Sequence, residues 1–372
     1  MHLWFDISFH GYGHLAQAAE VIAALTAQHA DFQLTIKSAA PRDVIARRVV
    51  LPFTHIQSAS DVTMVMRSAL AVNAEVSALA YRDFHRDWPM RLAHYTALLQ
   101  QARPDVVLSN VAYLPLAAAA CAGIPAAGLC SLNWADIYAY YCGARPEAAA
   151  ILAEMRAAYA SAAYFMRLQP AMPMLDLANR IALDPMARSG HSQRAHINAQ
   201  LGLAADDQLV LVNMGGMQFR PPMERWPRLP GVHWLVQQDW QVQHANAHAF
   251  ESLNLAFTDL LASCDAVIGK PGYGLFTEAA INGVPLLYLS REDWPEESYL
   301  VDWLARHGRC REVSAAAISS GELASALQAV WAQPPTPPVQ SNGAQQVVKI
   351  VAAMLADKQN PAPETPPPRL HG

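Results

Sequence analysis

The stretch from Cys264 to Asp293, CDAVIGKPGYGLFTEAAINGVPLLYLSRED, constrains the fold of this chain more than any other. Ala266–Ile268 is an apolar run bounded by turn residues and too short for a helix, so it reads as a buried strand. Gly269, Pro271, Gly272 and Gly274 follow as a turn able to expose successive backbone N–H groups. Leu275–Asn282 reads as a helix stopped by Gly283, and Val284–Leu289 as an all-apolar strand suited to a parallel sheet. A glycine turn opening onto a helix N-terminus favours anions, because unpaired N–H groups and the helix dipole both point at the ligand. Glu278, about one turn inside that helix, is placed to accept hydrogen bonds from a ribose diol. An ordinary βα turn with a dipole-stabilising glutamate accounts for the same pattern.

The same grammar of strand, glycine turn and helix occurs twice more. Leu3–Ser8 reads as a strand, His10-Gly11-Tyr12-Gly13-His14 as a loop, and Leu15–His29 as a helix. Gln208–Asn213 reads as a strand running into Asn213-Met214-Gly215-Gly216-Met217-Gln218. Further strands are predicted at Phe32–Lys37, Asp105–Ser109, Ala126–Cys130 and Val232–Val236. Asp61 to Gln101 reads as mostly helical, Ser131–Tyr138 as a polar-aromatic loop, and Ser320–Ala332 as a helix. Alternating strands and helices predict doubly wound parallel sheets, with ligands outside the carboxyl ends of the strands.

With 372 residues the chain is long for one core, so two domains are expected. The division read from the sequence is an N-terminal Rossmann-like domain over 1–168, a proline-bearing interdomain segment over 169–185, and a C-terminal Rossmann-like domain over 186–340. A final helix over 341–357 and a proline-rich disordered tail over 358–372 complete it. Two such halves imply a cleft between them, where small ligands bind.

A net charge of −5 gives no electrostatic footprint for nucleic acid. The five cysteines lack C-x-x-C spacing, which suits reduced thiols in a cytoplasmic protein. The N-terminus enters a strand directly, without the basic region of a leader. The uncharged run from Val106 to Ala135 is broken by Pro115, Pro125, Asn110 and Ser131, so no integral membrane segment is expected. The H-x-x-x-H spacing of His10 and His14 suits a metal only on a helix, and the intervening glycines argue for a loop. A histidine there fits a general base or a phosphate partner, and equally a capping or solvated side chain. Tyr12, Trp134 and Trp294 read first as packing residues, with stacking on a base or sugar as the alternative.

Four places carry a family resemblance: F-H-G-Y-G-H at 9–14, S-N-V-A-Y-L-P at 109–115 with N-W-A-D-I-Y at 133–138, L-V-N-M-G-G at 211–216, and C-D-A-V-I-G-K-P-G-Y-G-L-F-T-E-A at 264–279 with R-E-D-W-P-E-E-S-Y-L at 291–300. Together they resemble the GT-B glycosyltransferases, and more closely the glycosyltransferase-like N-terminal half of L-arabinokinase and its bacterial relatives. The resemblance implies an α/β fold of two Rossmann-like domains facing across a cleft. It implies a nucleotide-sugar donor on the C-terminal domain, with Glu278 on the ribose hydroxyls. Gly215, Gly216, Lys270, Gly272 and Gly274 would hold the diphosphate, Tyr273 and Thr277 would sit in the same donor motif, and Glu296 and Glu297 would address the donor sugar. On the acceptor side it implies the loop Gly11, Tyr12 and Gly13, with His14 or His10 as base and Asn110 beside it. No metal or other cofactor is implied, and the chain has no Asp-x-Asp motif.

Two departures matter. Asn110 stands where an aspartate often stands in the arabinokinase-like half, and an asparagine stabilises an imidazolium less well. After Arg311 too little chain follows for the sugar-kinase half, and no G-x-x-x-x-G-K-[ST] motif is present, so arabinose phosphorylation is not expected. The expected function is a metal-independent, inverting glycosyltransferase using a UDP-sugar and an unidentified acceptor. The alternatives are a nucleotide-sugar hydrolase or 2-epimerase on the same fold, and a non-catalytic nucleotide-sugar-binding protein.

Overall fold

The computed structural model describes residues 1–29, 31–68, 71–215, 219–291, 293–337 and 339–359. The first half builds one sheet from β1 (His2–Ile7), β2 (Gln33–Ser38), β3 (Thr54–Gln57), β4 (Val106–Asn110), β5 (Ala126–Cys130), β6 (Tyr164–Leu168) and β7 (Arg180–Leu183). The second half builds another from β8 (Gln208–Asn213), β9 (Val232–Val236), β10 (Ala247–Ala249), β11 (Ala266–Gly269), β12 (Leu286–Leu289) and β13 (Cys310–Val313). Their orders are β3-β2-β1-β4-β5-β6-β7 and β10-β9-β8-β11-β12-β13, and every recorded pairing of these strands is parallel. Each sheet therefore reverses its winding once, between β1 and β4 and between β8 and β11. Ligands of doubly wound sheets bind outside the carboxyl ends of the strands at such switch points.

Burial follows this topology. All five residues of β4 and all five of β5 are buried, as strands covered by helices on both faces require. One apolar cluster joins the halves, from Leu3, Leu15 and Ile36 through Leu209 and Val267 to Val347 and Met354. The other faces of the two sheets carry separate clusters. The last helix, Gly343–Gln359, returns to the first half and packs against the helix Tyr12–Gln28.

The sequence misplaced several elements. The first helix begins at Tyr12 rather than Leu15, so Gly13 and His14 lie in its first turn and only His10 and Gly11 precede it. Residues 61–68 and 71–73, read as helical, are not in a helix, and Met66 and Val72 form an isolated bridge; the helix starts at Ala74 because the Asn73 side chain accepts from the Val76 N–H. The segment 131–138, read as a loop, holds the start of the helix Trp134–Cys142, capped by Asn133 accepting from the Asp136 N–H. The interdomain segment 169–185 contains β7, which extends the first sheet. The region 320–332 holds the end of one helix, Ala315–Ser320, and a second, Ala324–Trp331, separated by Gly321 at φ 77°. The final helix runs to Gln359, two residues into the tail read at 358–372; residues 360–372 lie outside the described residues.

Candidate active site

The two switch points face one cavity of about 1280 Å³. That exceeds the roughly 300–1,000 Å³ of a pocket for one small ligand. From the first half it receives the 10–14 segment and the loop after β5, and from the second half Gly215, Lys270, Gly272, Glu278, Arg291 and Glu296. It brings together residues that are more than two hundred positions apart in the chain.

His14 is buried, at 9% exposure, and its Nδ1 lies 2.8 Å from Asn110 Oδ1. Asn110 is fully buried at the end of β4, and its amide Nδ2 donates to Gln17 Oε1 at 2.8 Å. With that amide committed, Oδ1 is the acceptor and His14 Nδ1 carries the hydrogen. Nε2, which has no hydrogen-bond partner among the described residues, is then the basic nitrogen. Burial lowers the pKa of His14 from its ordinary 6.5, while the Asn110 hydrogen bond and the charge of Glu296 oppose that shift. Cys130 Sγ lies 3.7 Å from the same Nδ1; burial pushes its pKa up to about 12, so it stays a thiol.

His10 differs. Its ring stacks on Trp294 and meets Trp134 edge-on. Burial, His14 and the nearby positive charges of Arg291 and Lys270 lower its pKa to about 3, and no hydrogen bond among the described residues fixes its tautomer as Asn110 fixes that of His14. Gly11 takes φ 104°, a conformation open to glycine, and leaves the helix N-terminus at Tyr12 without a side-chain cap. Tyr12 is 44% exposed at the cavity mouth. Trp134 is fully buried, donates to Asp61 Oδ2 at 2.8 Å and packs behind the histidines at the back of the cavity.

On the opposite wall the helix Tyr273–Ile281 begins at Gly272 with no side-chain cap, and a Cβ added at Gly272 or Gly274 would meet nothing within 4 Å. Its first N–H groups are thus free for an anion. Gly215 adopts φ 73°, and a Cβ there would meet Lys270 Cε at 3.3 Å. Burial and the charge of Arg291 lower the pKa of Lys270 to about 8. Gly216 lies outside the described residues. Glu278 lines the cavity; burial and Glu20 raise its pKa to about 7, against the charges of Arg48 and Arg188.

Three expected donor residues are placed otherwise. The Tyr273 hydroxyl accepts from Met186 N–H at 2.9 Å and donates to Gln169 O at 3.1 Å, tying the helix to the connecting segment. Thr277 is fully buried, and its hydroxyl is used on the carbonyls of Tyr273 and Gly274. The acidic pair is split. Glu296 faces the cleft, accepting from Ser131 Oγ at 2.6 Å across the domains and from Trp294 Nε1 at 3.1 Å. Glu297 turns back to accept from Ser290 Oγ at 2.5 Å and from the Arg291 N–H at 2.7 Å, closing the turn before its own helix. The sequence reading missed Ser131 and Arg291. A polar-aromatic run hinted at the first; the second opens the 291–300 motif, but no sequence pattern says whether an arginine finds an ion-pair partner.

No protein-family model matches the chain. L-arabinokinase of Arabidopsis thaliana is 26% identical over 309 residues, which are 80% of this chain and 29% of that protein, so the chain spans less than a third of that relative. Among solved structures, the calicheamicin glycosyltransferase CalG4 matches with a TM-score of 0.65 at 14% identity, covering 97% of this chain and 99% of the other. A UDP-N-acetylglucosamine 2-epimerase matches with a TM-score of 0.55 at 12% identity, covering 96% and 98%. Likenesses at this identity show the fold. The chain has the GT-B fold of nucleotide-sugar glycosyltransferases, and over four fifths of its length it is similar to L-arabinokinase.

Proposed function

We propose that this protein is a glycosyltransferase that moves a sugar from a UDP-sugar to an acceptor hydroxyl with inversion. The observation that carries the reading is His14, with its Nδ1–H fixed by Asn110 at 2.8 Å and Nε2 left as base, in the same cavity as the uncapped helix N-terminus at Gly272 and Lys270. In this reading Glu278 takes the ribose hydroxyls, and Lys270 and the N–H groups after Gly272 hold the diphosphate, while Gly215, whose own N–H donates to Asn213 Oδ1 at 3.0 Å, leaves room for its approach. The acceptor oxygen attacks the anomeric carbon while its proton passes to His14 Nε2. The bond from that carbon to the β-phosphate oxygen breaks, and UDP leaves with the electron pair. Lysine and backbone amides meet the charge that develops on it. The size of the cavity supports simultaneous occupancy by donor and acceptor.

The test is release of UDP from a panel of UDP-sugars, with and without a panel of hydroxyl acceptors. Release that needs an acceptor, and that falls about 10²–10⁴-fold in His14→Ala, supports the reading. Release of free sugar or of an isomer without any acceptor, at the same rate in both proteins, contradicts it.

A further inference from the structure

Arg291, two residues beyond the end of β12, has no part in the proposed transfer. It is 7% exposed, its guanidinium lies 4.6 Å from the Trp294 ring centre, and its Nε and Nη2 are buried without a hydrogen-bond partner. The acids around it are otherwise engaged. Glu296 is held by Ser131 and Trp294, and Glu297 by Ser290 and the backbone N–H of Arg291 itself. Asp293 and the Tyr141 phenol also face it, and that hydroxyl donates to the Asp293 carbonyl. No carboxylate among the described residues forms an ion pair with its guanidinium. The carboxylates of Glu296, Glu297 and Asp293 are near enough to favour its charge but leave Nε and Nη2 without an acceptor; buried donors left unpaired are costly, and an anion entering the cleft that reaches them removes that cost.

The register of the sheet says which anion. β8 delivers Gly215 and β11 delivers Lys270, whose stem lies against Gly215. β12 is the next strand over, about 4.8 Å further along the sheet, and it delivers Arg291 on the side of Trp294, His10 and Glu296. The diphosphate thus has its cation and its helix N-terminus one strand before Arg291. The sugar must lie beyond the diphosphate, toward His14, for its anomeric carbon to be attacked. A neutral hexose offers only hydroxyls, which bond to a guanidinium without neutralising it. The adjacent Nε and Nη2 of an arginine match the two oxygens of a carboxylate.

We propose that the donor taken by this cleft is a nucleotide uronic acid and that Arg291 binds its carboxylate. The proposal rests on the donor-site reading above and narrows its substrate class. It is tested by calorimetric titration of the full chain with UDP, UDP-glucose, UDP-galactose, UDP-glucuronate and UDP-galacturonate. The wild type, Arg291→Gln, Arg291→Lys and Glu278→Ala are compared, with the unliganded melting point of each as a check on folding. The wild type is expected to bind at least one uronate about tenfold or more tightly than its neutral counterpart. Arg291→Gln should abolish that preference while UDP binds within about threefold of wild type, and Arg291→Lys should keep part of it. Binding of UDP that Glu278→Ala weakens, without any uronate preference in the wild type, overturns this proposal and leaves the donor-site reading intact. Equal weakening of UDP and of every UDP-sugar by Arg291→Gln moves the cation to the diphosphate and also overturns it. Failure of UDP itself to bind the wild type overturns the donor-site reading, and the uronate proposal falls with it.

Discussion

His14 Nδ1 and Asn110 Oδ1 lie 2.8 Å apart, joining the first turn of the helix after β1 to the end of β4 across the switch point of the first sheet. The contact fixes the tautomer without supplying a charge, and that combination makes the base sensitive to what stands at position 110. Burial holds the His14 pKa below 6.5, so the neutral, competent form persists into mild acid. The acid limb of a kcat/KM profile should therefore fall below pH 6.5. Asn110→Asp puts an opposite charge on the same Nδ1–H, and such charges raise a histidine pKa by roughly 1–3 units. The limb should move up by about one unit or more, whereas Asn110→Ala should lower the rate without moving the limb upward. An unmoved limb in the aspartate variant would remove His14 from the role of base.

Lys270 gives a second pH dependence, of opposite sign. Its pKa in the free protein is lowered to about 8, and a diphosphate favours its protonated form. As pH rises through 8 the free lysine loses its proton, so UDP affinity should weaken by about tenfold between pH 7 and pH 9. UDP completes its own ionisation below that window. Calorimetry on Lys270→Met should show weaker binding at pH 7 and a nearly flat profile above it. A wild-type profile as flat as that of the variant would place the diphosphate elsewhere.

Glu278 should be visible in stability as well as in binding. Its folded pKa of about 7 stands above the ordinary 4.5, so between these values the folded protein holds a proton that the unfolded chain has released. The associated stability is fully present below pH 4.5 and is lost as pH rises through 7. Glu278→Gln keeps the neutral shape and escapes that loss. Denaturant unfolding should find the variant gaining on wild type between pH 5 and pH 8, by up to about 3 kcal/mol. A difference that does not change with pH would mean that the carboxylate is not desolvated.

Much of this arrangement was legible in the sequence for a physical reason. Buried parallel strands are short apolar runs, and glycine turns at their carboxyl ends are the feature that lets a ligand approach backbone. The stretch around Ala266–Gly269 and the 10–14 segment were therefore readable, and with them His14, Lys270 and Glu278. Tertiary context decided the rest. β7 hides among prolines and is a strand only because β6 offers it an edge. Trp134 and its neighbours read as a loop because an asparagine before an aromatic run suits a turn as well as the N-cap it is here. The split of Glu296 from Glu297 depends on which carboxylate finds Ser131 and which finds the backbone of Arg291, a choice made by the packing of two domains. Arg291 was unreadable because its significance lies in the partners it lacks.

If the proposed transfer is right, the nucleotide of the donor sits on the C-terminal domain under Glu278. The most direct measurement is the melting temperature of wild type and Glu278→Ala at pH 7.5 against UDP, other nucleoside diphosphates and UDP-sugars. A ligand at 100 times its dissociation constant adds about 2.7 kcal/mol, a shift of several degrees for a protein of this size. Wild type should show such a shift with UDP, and the variant should lose it. No shift with any nucleotide, or one that Glu278→Ala leaves undiminished, would contradict that placement.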